Sequence, residues 1–500
     1  MYFVGIDAGT SGTTTIIVDA DGNVVGKGSS TYSTDVTRFG FTEQNPEVLW
    51  EGVLSSCRAA ISNTAIDPKA ITSISLASQR GTFLVVDKEF TPLTPAILWS
   101  DQRAVEQHHW FISHVGEDTF KHITGCSIAP MWTGMKIKWL VDNFLMGKAS
   151  YILNEQEWLL HKLGATELCT DVSSVTMNGM LAIKERDWSD TILSAIGITR
   201  ALLPPIKPSG TLVGHLTKIV AERIGFPAGV PLYLGGGDQQ CAAIGTGAYH
   251  EDSLALILGT GAVAVGNTKE IDTLLANPSK ASYVIGGHVI PDRWDVEGIS
   301  LSAGNSYRWW KDVAWKSSDQ SSGSNVFALM DDAGKAVPIG SHGLLFLPYL
   351  SKQIVPKVSL DATGVLYGLT QAHDRAHMTR AVMEGVTFEL CTLVKTLEEI
   401  LGKKFPSIRV TGGGFVSPLW SSMFSSMLGA VLEVPHCTES TALGAAMLGA
   451  VGSGVFASVR QASSHMVRIE RQVLPDTKDA QAYQDLYCSY KEKENQLFRP

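Results

Sequence analysis

The sequence predicts an α/β chain built as two related halves around a cleft, and three observations carry that prediction. A short apolar strand, a turn of Gly, Thr and Ser, and a second apolar strand occur in Tyr2 to Asp19 and again in Leu254 to Gly266. Strand-like and helix-like apolar patterns alternate through the rest, which implies mixed sheets covered on their faces. The 500 residues are 44% hydrophobic and only 18% charged, with 48 glycines, enough for two cores joined by many tight turns.

The elements follow in order. Phe3-Val-Gly-Ile6 leads into the turn Asp7-Ala-Gly-Thr-Ser-Gly-Thr-Thr14 and out through Thr15 to Asp19, a β-hairpin with small residues at its tip. Asp21-Gly22-Asn23 is a further turn before the return strand at Val24-Val25. Ala70 to Leu76 and Gly81 to Val86 read as strands, the second ending near Asp87-Lys88. Pro46 to Ile61, Lys136 to Leu145 and Glu155 to Leu163 read as helices. Val230 to Leu234 is a strand that runs into Gly235-Gly-Gly-Asp-Gln-Gln240 and a helix through Ile244. The boundary between halves falls near residue 250. Beyond it come the second hairpin (Leu254 to Leu258, Gly259-Thr-Gly261, Ala262 to Val265) and a long helix from Arg375 to Leu401. Ser417 to Leu428 and Ala442 to Val451 are shorter helices. The more polar tail from Ser458 to Pro500 holds a surface helix at Ala480 to Gln496.

Composition excludes several functions. The net charge is −9 with no basic run, so nucleic acid, whose binding needs a positive footprint, is not a partner. Seven scattered cysteines without a Cys-x-x-Cys argue against a disulfide framework or zinc knuckle and fit a reducing compartment. Met1 to Asp7 lacks the basic and apolar regions of a signal peptide, and no run reaches the roughly 18 apolar residues of a membrane span. A soluble, cytoplasmic protein is expected.

Three glycine clusters could meet an anion. The first turn offers backbone N–H groups, hydroxyls and the Asp7 carboxylate; a carboxylate beside phosphates reaches them through Mg²⁺. Gly259-Thr-Gly261 is the second phosphate-turn candidate, and Gly412-Gly-Gly414 before a Ser417-capped helix suits a flat base lying on backbone. Each alone also reads as a plain tight turn. Asp238 heads a helix after three glycines, where a carboxylate can serve as base for an alcohol attacking a phosphoryl group; helix capping is the other reading. Gln79-Arg80 and Trp99-Ser-Asp-Gln-Arg103 stand at strand ends, either as a hydroxyl-binding site or as polar surface loops. His373 and His377 lie four apart without a third ligand, which favours capping over metal binding.

In order, Gly5-Ile-Asp-Ala-Gly-Thr-Ser11, Leu98-Trp-Ser-Asp-Gln-Arg103, Thr170-Asp171 with Arg186-Asp-Trp-Ser189, Gly235-Gly-Gly-Asp-Gln239, Leu258-Gly-Thr-Gly261, Phe346-Leu-Pro-Tyr-Leu350, Gly412-Gly-Gly414 with Ser417-Pro-Leu-Trp420, and Glu439-Ser-Thr-Ala-Leu-Gly-Ala-Ala446 resemble the FGGY carbohydrate kinases, from Val4 to about Gly454. The resemblance implies two ribonuclease-H/actin-like (ASKHA) domains around an interdomain cleft. Residues 1–249 would hold mainly the sugar and the catalytic Asp, and 250–500 mainly the adenosine. It implies ATP and Mg²⁺, a small sugar or polyol as partner, and a chain that is monomeric or a homodimer or tetramer. Carried over by motif, Asp238 is the base. Gln79, Arg80, Trp99, Asp101 and Gln239 join it around the substrate. Thr10, Ser11, Thr14, Gly259, Thr260, Gly304, Arg308, Gly412, Gly413 and Ser417 surround the nucleotide, with Asp7 near the metal through water.

The departures concern the sugar. Glycerol kinases carry Gln-Arg-Glu-Thr where this chain has Gln79-Arg-Gly-Thr82, and their substrate-contacting Tyr falls on Met131. Xylulose kinases carry Gln-Met-His-Gly in the same stretch, while Pro130-Met-Trp-Thr133 is closer to their type. Ser351-Lys-Gln353 replaces the usual Gly-Glu-Arg. Arg80 then either faces a carboxylate-bearing or keto substrate or holds Asp101. The implied reaction is phosphorylation of a ketopentose of xylulose or ribulose type. Tetritols, glycerol-like polyols and sugar acids are the alternatives within the family. Outside it stands an actin-fold ATPase or sugar sensor without kinase activity.

Overall fold

Apolar alternation in the first 80 residues builds one half of the molecule around a six-stranded sheet. The computed structural model describes residues 1–36, 40–276, 283–315, 325–353, 359 and 361–498, so the last two residues of the tail lie outside it. Strands β1 (Tyr2–Ala8) and β2 (Gly12–Val18) pair antiparallel from Phe3 opposite Val18 to Ala8 opposite Thr13, and β3 (Val24–Thr31) returns beside β2. Strand β4 (Ile71–Ser78) lies parallel to β1; β5 (Leu212–His215) and β6 (Pro231–Gly237) complete the order β5-β6-β4-β1-β2-β3. Helix α1 (Pro46–Ser62) is capped by Asn45 with Pro46 in its first turn, and turns Leu49, Trp50, Val53, Leu54 and Cys57 into the core. That i, i+3, i+4 spacing gives one apolar stripe, and burying it against β2 and β3 is what holds the helix there.

The second sheet repeats the hairpin. Strands β7 (Leu254–Leu258) and β8 (Ala262–Thr268) pair from Leu254 opposite Gly266 to Leu258 opposite Ala262. With β9 (Val284–Gly287), β10 (Trp294–Ser300), β11 (Ser407–Thr411), β12 (Val431–Pro435) and β13 (Ile469–Val473) the order is β9-β10-β8-β7-β11-β12-β13. A smaller five-stranded sheet in the first half includes Phe83–Val86 and Tyr151–Asn154.

The helices that matter to the site are α2 (Glu155–Leu163), α3 (Asp238–Thr246), α4 (Ala303–Ala314), α5 (Val326–Lys335), α6 (Arg375–Leu401), α7 (Pro418–Leu428), α8 (Ser440–Gly452) and α9 (Thr477–Phe498). Helix α8 comes from the second half yet packs on β1, β4, β6 and α3 of the first. It does so at backbone distance: a Cβ on Gly5 would stand 1.8 Å from the Ala442 carbonyl oxygen, and one on Gly444 2.0 Å from that of Cys241. Only glycine permits such an approach.

Two sequence expectations shift. The helix expected over Lys136 to Leu145 spans Thr133–Asp142, because Phe144 takes a φ of 58° that no α-helix can contain. The tail helix α9 is not a surface element: it seats Tyr483, Tyr490 and Glu494 in the interior. Glu494 there accepts from Tyr349 at 2.8 Å. His377 completes a capping box with Asp374 at the head of α6. All seven cysteines are free, and among the described residues no helix is long and apolar enough to cross a membrane.

Candidate active site

The two hairpin tips face one cleft of about 350 Å³, lined by Gly9 to Gly12 on one side and Gly259 to Val263 on the other, with Asp7, Gln79, Arg80, Trp99, Asp238 and Gln239 around them. Asp238 is the first residue of α3. Its approach depends on the glycines before it, for a reason of space: a Cβ on Gly235 would lie 1.9 Å from the Leu76 oxygen, and one on Gly237 2.5 Å from Arg80 Cδ. The Ser173 hydroxyl accepts from the Gly237 N–H at 2.9 Å and fixes the turn.

The Asp238 carboxylate keeps a quarter of its side-chain surface open to the cleft. Its Oδ1 accepts from the Gln239 backbone N–H at 2.9 Å and from Arg80 Nε at 3.3 Å, and its Oδ2 from Gln239 Nε2 at 2.9 Å. Desolvation raises its pKa above the usual carboxylate value, while Arg80 and the two Gln239 hydrogen bonds oppose that rise and favour the ionised form. Gln239 Oε1 is buried and has no partner. Such an acceptor is costly unless a ligand donates to it.

A hydrogen-bond chain fixes the first tip. Trp99 Nε1 donates to Thr10 Oγ1 at 3.0 Å, Thr10 donates to Gln79 Oε1 at 2.7 Å, and Gln79 Nε2 donates to Glu155 Oε2 at 2.7 Å. Ser11 lines the cleft. Thr14 does not; its hydroxyl pairs with Ser29 at 3.2 Å on the neighbouring strand. Asp101 also stands apart: fully buried, it accepts from the Thr42 N–H at 2.6 Å and Arg103 Nε at 2.8 Å. Its partner is Arg103, not Arg80. Arg80 reaches the other sheet instead, with Nη1 and Nη2 each 2.7 Å from an oxygen of Glu297 on β10.

A second cavity, of about 570 Å³, shares Gly259 and Thr260 with the cleft. Gly304, Arg308, Gly413 and Ser417 line it, together with Tyr307, Phe327, Asp331 and Trp420. Gly412 lies beneath; its φ of 105° and the 2.1 Å that a Cβ would leave to the Leu258 oxygen make it a structural turn. The aromatic walls suit a flat ring, and the half-buried Asp331 offers acceptors to its polar edge.

The family models for the FGGY carbohydrate kinases match most of this chain, the N-terminal domain over residues 2–245 and the C-terminal domain over 254–453. The chain belongs to the FGGY family of carbohydrate kinases. Relatives match along their whole length. Xylulose kinase of Bacillus subtilis is 29% identical over 98% of this chain and 96% of its own. Gluconokinase of the same organism is 29% identical over 97% and 94%, and glycerol kinase of Halothermothrix orenii 27% identical over 99% and 98%. The solved xylulose kinase of Lactobacillus acidophilus superposes with a TM-score of 0.87 at 23% identity, covering 99% of this chain and 98% of that one. The fold is therefore the two-domain FGGY kinase fold, and the enzyme is an ATP-dependent sugar phosphotransferase.

Within this kinase, motif reasoning missed several residues. Tyr307, Phe327 and Trp420 belong to core-like patterns, and nothing in their spacing distinguishes a cavity wall from packing. Met177 lines the cleft beside Trp99 and Met131. Glu297 did leave a signal: a carboxylate between Val296 and Ile299, inside an apolar strand, requires a buried partner.

The Asp7 carboxylate, also in the cleft, receives no hydrogen bond or ion pair from any described residue. Burial, with Asp238 and Glu439 nearby, pushes it up to about 8. Among the described residues no group of three His, Cys, Asp or Glu is disposed to hold a metal alone. The donor set fits a hard cation that takes one protein carboxylate and fills its shell from phosphates and water; it does not fit an all-protein cage.

Proposed function

We propose that this kinase transfers the γ-phosphate of ATP to a primary hydroxyl of a ketopentose of xylulose or ribulose type, with Asp238 as general base. One observation carries the reading: the Asp238 carboxylate opens into the same cleft as both hairpin tips. The whole-length similarity to xylulose kinases supports the substrate class.

The sugar lies against Trp99, Met131 and Met177, with Gln79 and Gln239 as its polar contacts; Gln239 Oε1 accepts a sugar hydroxyl. Residues 1–249 hold mainly the sugar. Residues 250–500 hold mainly the adenosine, in the cavity of Tyr307, Phe327 and Trp420. Ser11 and the backbone N–H groups of both tips receive the phosphates, Thr260 from the second. Asp238 takes the hydroxyl proton as the oxygen attacks in line. Asp7 would hold Mg²⁺, which when bound offsets the charge gathering on the transferred group.

A coupled ADP-release assay over ketopentoses, tetritols, hexonates and deoxysugars tests the reading. Sugar-dependent ADP release is expected, strongest with a ketopentose. Asp238→Asn should lower turnover by about a hundredfold to ten-thousandfold, the usual worth of a general base, with ATP affinity nearly unchanged. ATP consumption indifferent to every sugar would instead favour an actin-fold ATPase or a sensor, and a fully active Asp238→Asn would remove the base.

A further inference from the structure

Among the described residues Arg80 is the one cation of the cleft wall, and it is already paired. It follows β4 of the first sheet, threads past Gly237, and meets Glu297 on β10 of the second through two parallel hydrogen bonds of 2.7 Å. Its Nε is turned to Asp238 Oδ1 at 3.3 Å. Glu297 is completely buried, and its Oε1 also accepts from Gln240 Nε2 at 2.7 Å, so both of its oxygens are engaged. A bidentate arginine–carboxylate pair of this geometry, shielded from water, is held in place by the cost of separating it. The other charged side chains on the cleft wall are Asp7 and Asp238, both acidic; among the described residues no lysine or histidine lines it.

We propose that Glu297 sets the substrate class of this site: by pinning Arg80 from the opposite sheet, it makes the cleft select uncharged sugars and polyols and reject sugar acids. The inference rests on the kinase reading above and narrows it. A sugar carboxylate entering the cleft meets the Asp238 carboxylate without a cation free to pair with it, and like charges brought together out of water are strongly disfavoured. The hydroxyls of a neutral sugar carry no such penalty and can donate to the unpartnered Gln239 Oε1 and to Asp238. Glu297 acts through Arg80 and does not itself line the cleft, so it is a positioning residue.

The test compares kcat/KM for matched pairs, D-xylulose and xylitol against D-xylonate, and glycerol against D-glycerate, with D-gluconate added. In the wild-type enzyme the neutral compounds should exceed the acids by about a hundredfold or more, as expected when specificity rests on a repulsive element. Glu297→Gln removes the charge that occupies Arg80. It should raise the acid-to-neutral ratio by about tenfold or more, whatever it does to the absolute rate. Glu297→Asp, too short to reach both Nη groups, should move the ratio the same way by less, and serves if the first variant does not fold. A merely structural role would depress both substrate classes together and leave the ratio fixed. Wild-type preference for a sugar acid, or a ratio unmoved in a folded variant, overturns the inference while the kinase reading stands. ADP release with none of these compounds, nor with D-ribulose, a tetritol or a deoxysugar, overturns both.

Discussion

At the scale of the residue, identity was legible where chemistry demands one side chain, and partnership was not. Asp238 stood out because three glycines bring a carboxylate to a helix start, and the structure opens it to the cleft. Arg80 was equally visible, but its partner lies 217 positions further along the chain. No local pattern links the two, so the expectation that Arg80 holds Asp101 gave way to Glu297. Asp101 shows the converse, a polar residue in a motif whose oxygens are consumed by Thr42 and Arg103.

The same scale yields a pH prediction at Glu155. This carboxylate is fully buried, its Oε1 has no partner, and burial pushes its pKa up to about 8. Its folded value exceeds the unfolded one, so between about 4.3 and about 8 the native state holds a proton that the unfolded state has released. Stability from this group is full below that window and lost across it as pH rises. Glu155→Gln keeps the acceptor for Gln79 and removes the ionisation. It should raise Tm by about 2 °C or more at pH 8.5 and leave it nearly unchanged at pH 5. An equal shift at both pH values in thermal melts would mean that packing, not the proton, governs the site.

At the scale of the element, hairpins and long helices were readable because period and caps agree: α6 runs from Arg375 to Leu401 as its apolar spacing and Gly402 require. What the sequence hid was contact between elements. Gly304 opens α4 directly beneath the second hairpin, where a Cβ would lie 1.9 Å from the Gly259 oxygen. Gly304→Ala must therefore displace the Gly259-Thr260 tip or the helix start, while the cleft wall of Trp99 and Met131 stays in place. KM for ATP should rise about tenfold or more, since displacements of an ångström are costly in a positioned site, with KM for the sugar within about twofold. Steady-state kinetics with each substrate varied in turn decides it; an unchanged KM for ATP would show that the tip tolerates the shift.

At the scale of the whole molecule, the duplication could be read from two hairpins half a chain apart, but the exchange of a helix between the halves could not. Helix α8 is small and apolar on every side, so its sequence does not say which sheet it covers. In the structure Ala442, Leu443, Ala446 and Met447 form one core with Phe3, Ile16, Cys241 and Ile244. The chain's second half thus completes the hydrophobic core of the first, behind the very helix that carries Asp238. A fragment of residues 1–249 would leave that face of β1, β4, β6 and α3 in water, an exposed apolar surface far larger than a soluble domain tolerates. Expressed alone, it should show no cooperative thermal transition by near-ultraviolet circular dichroism and should bind a hydrophobic dye, whereas the full chain melts cooperatively. A fragment that melts sharply near the full-chain temperature would mean that the first sheet folds without α8, and that Asp238 on α3 owes its position to the first half alone.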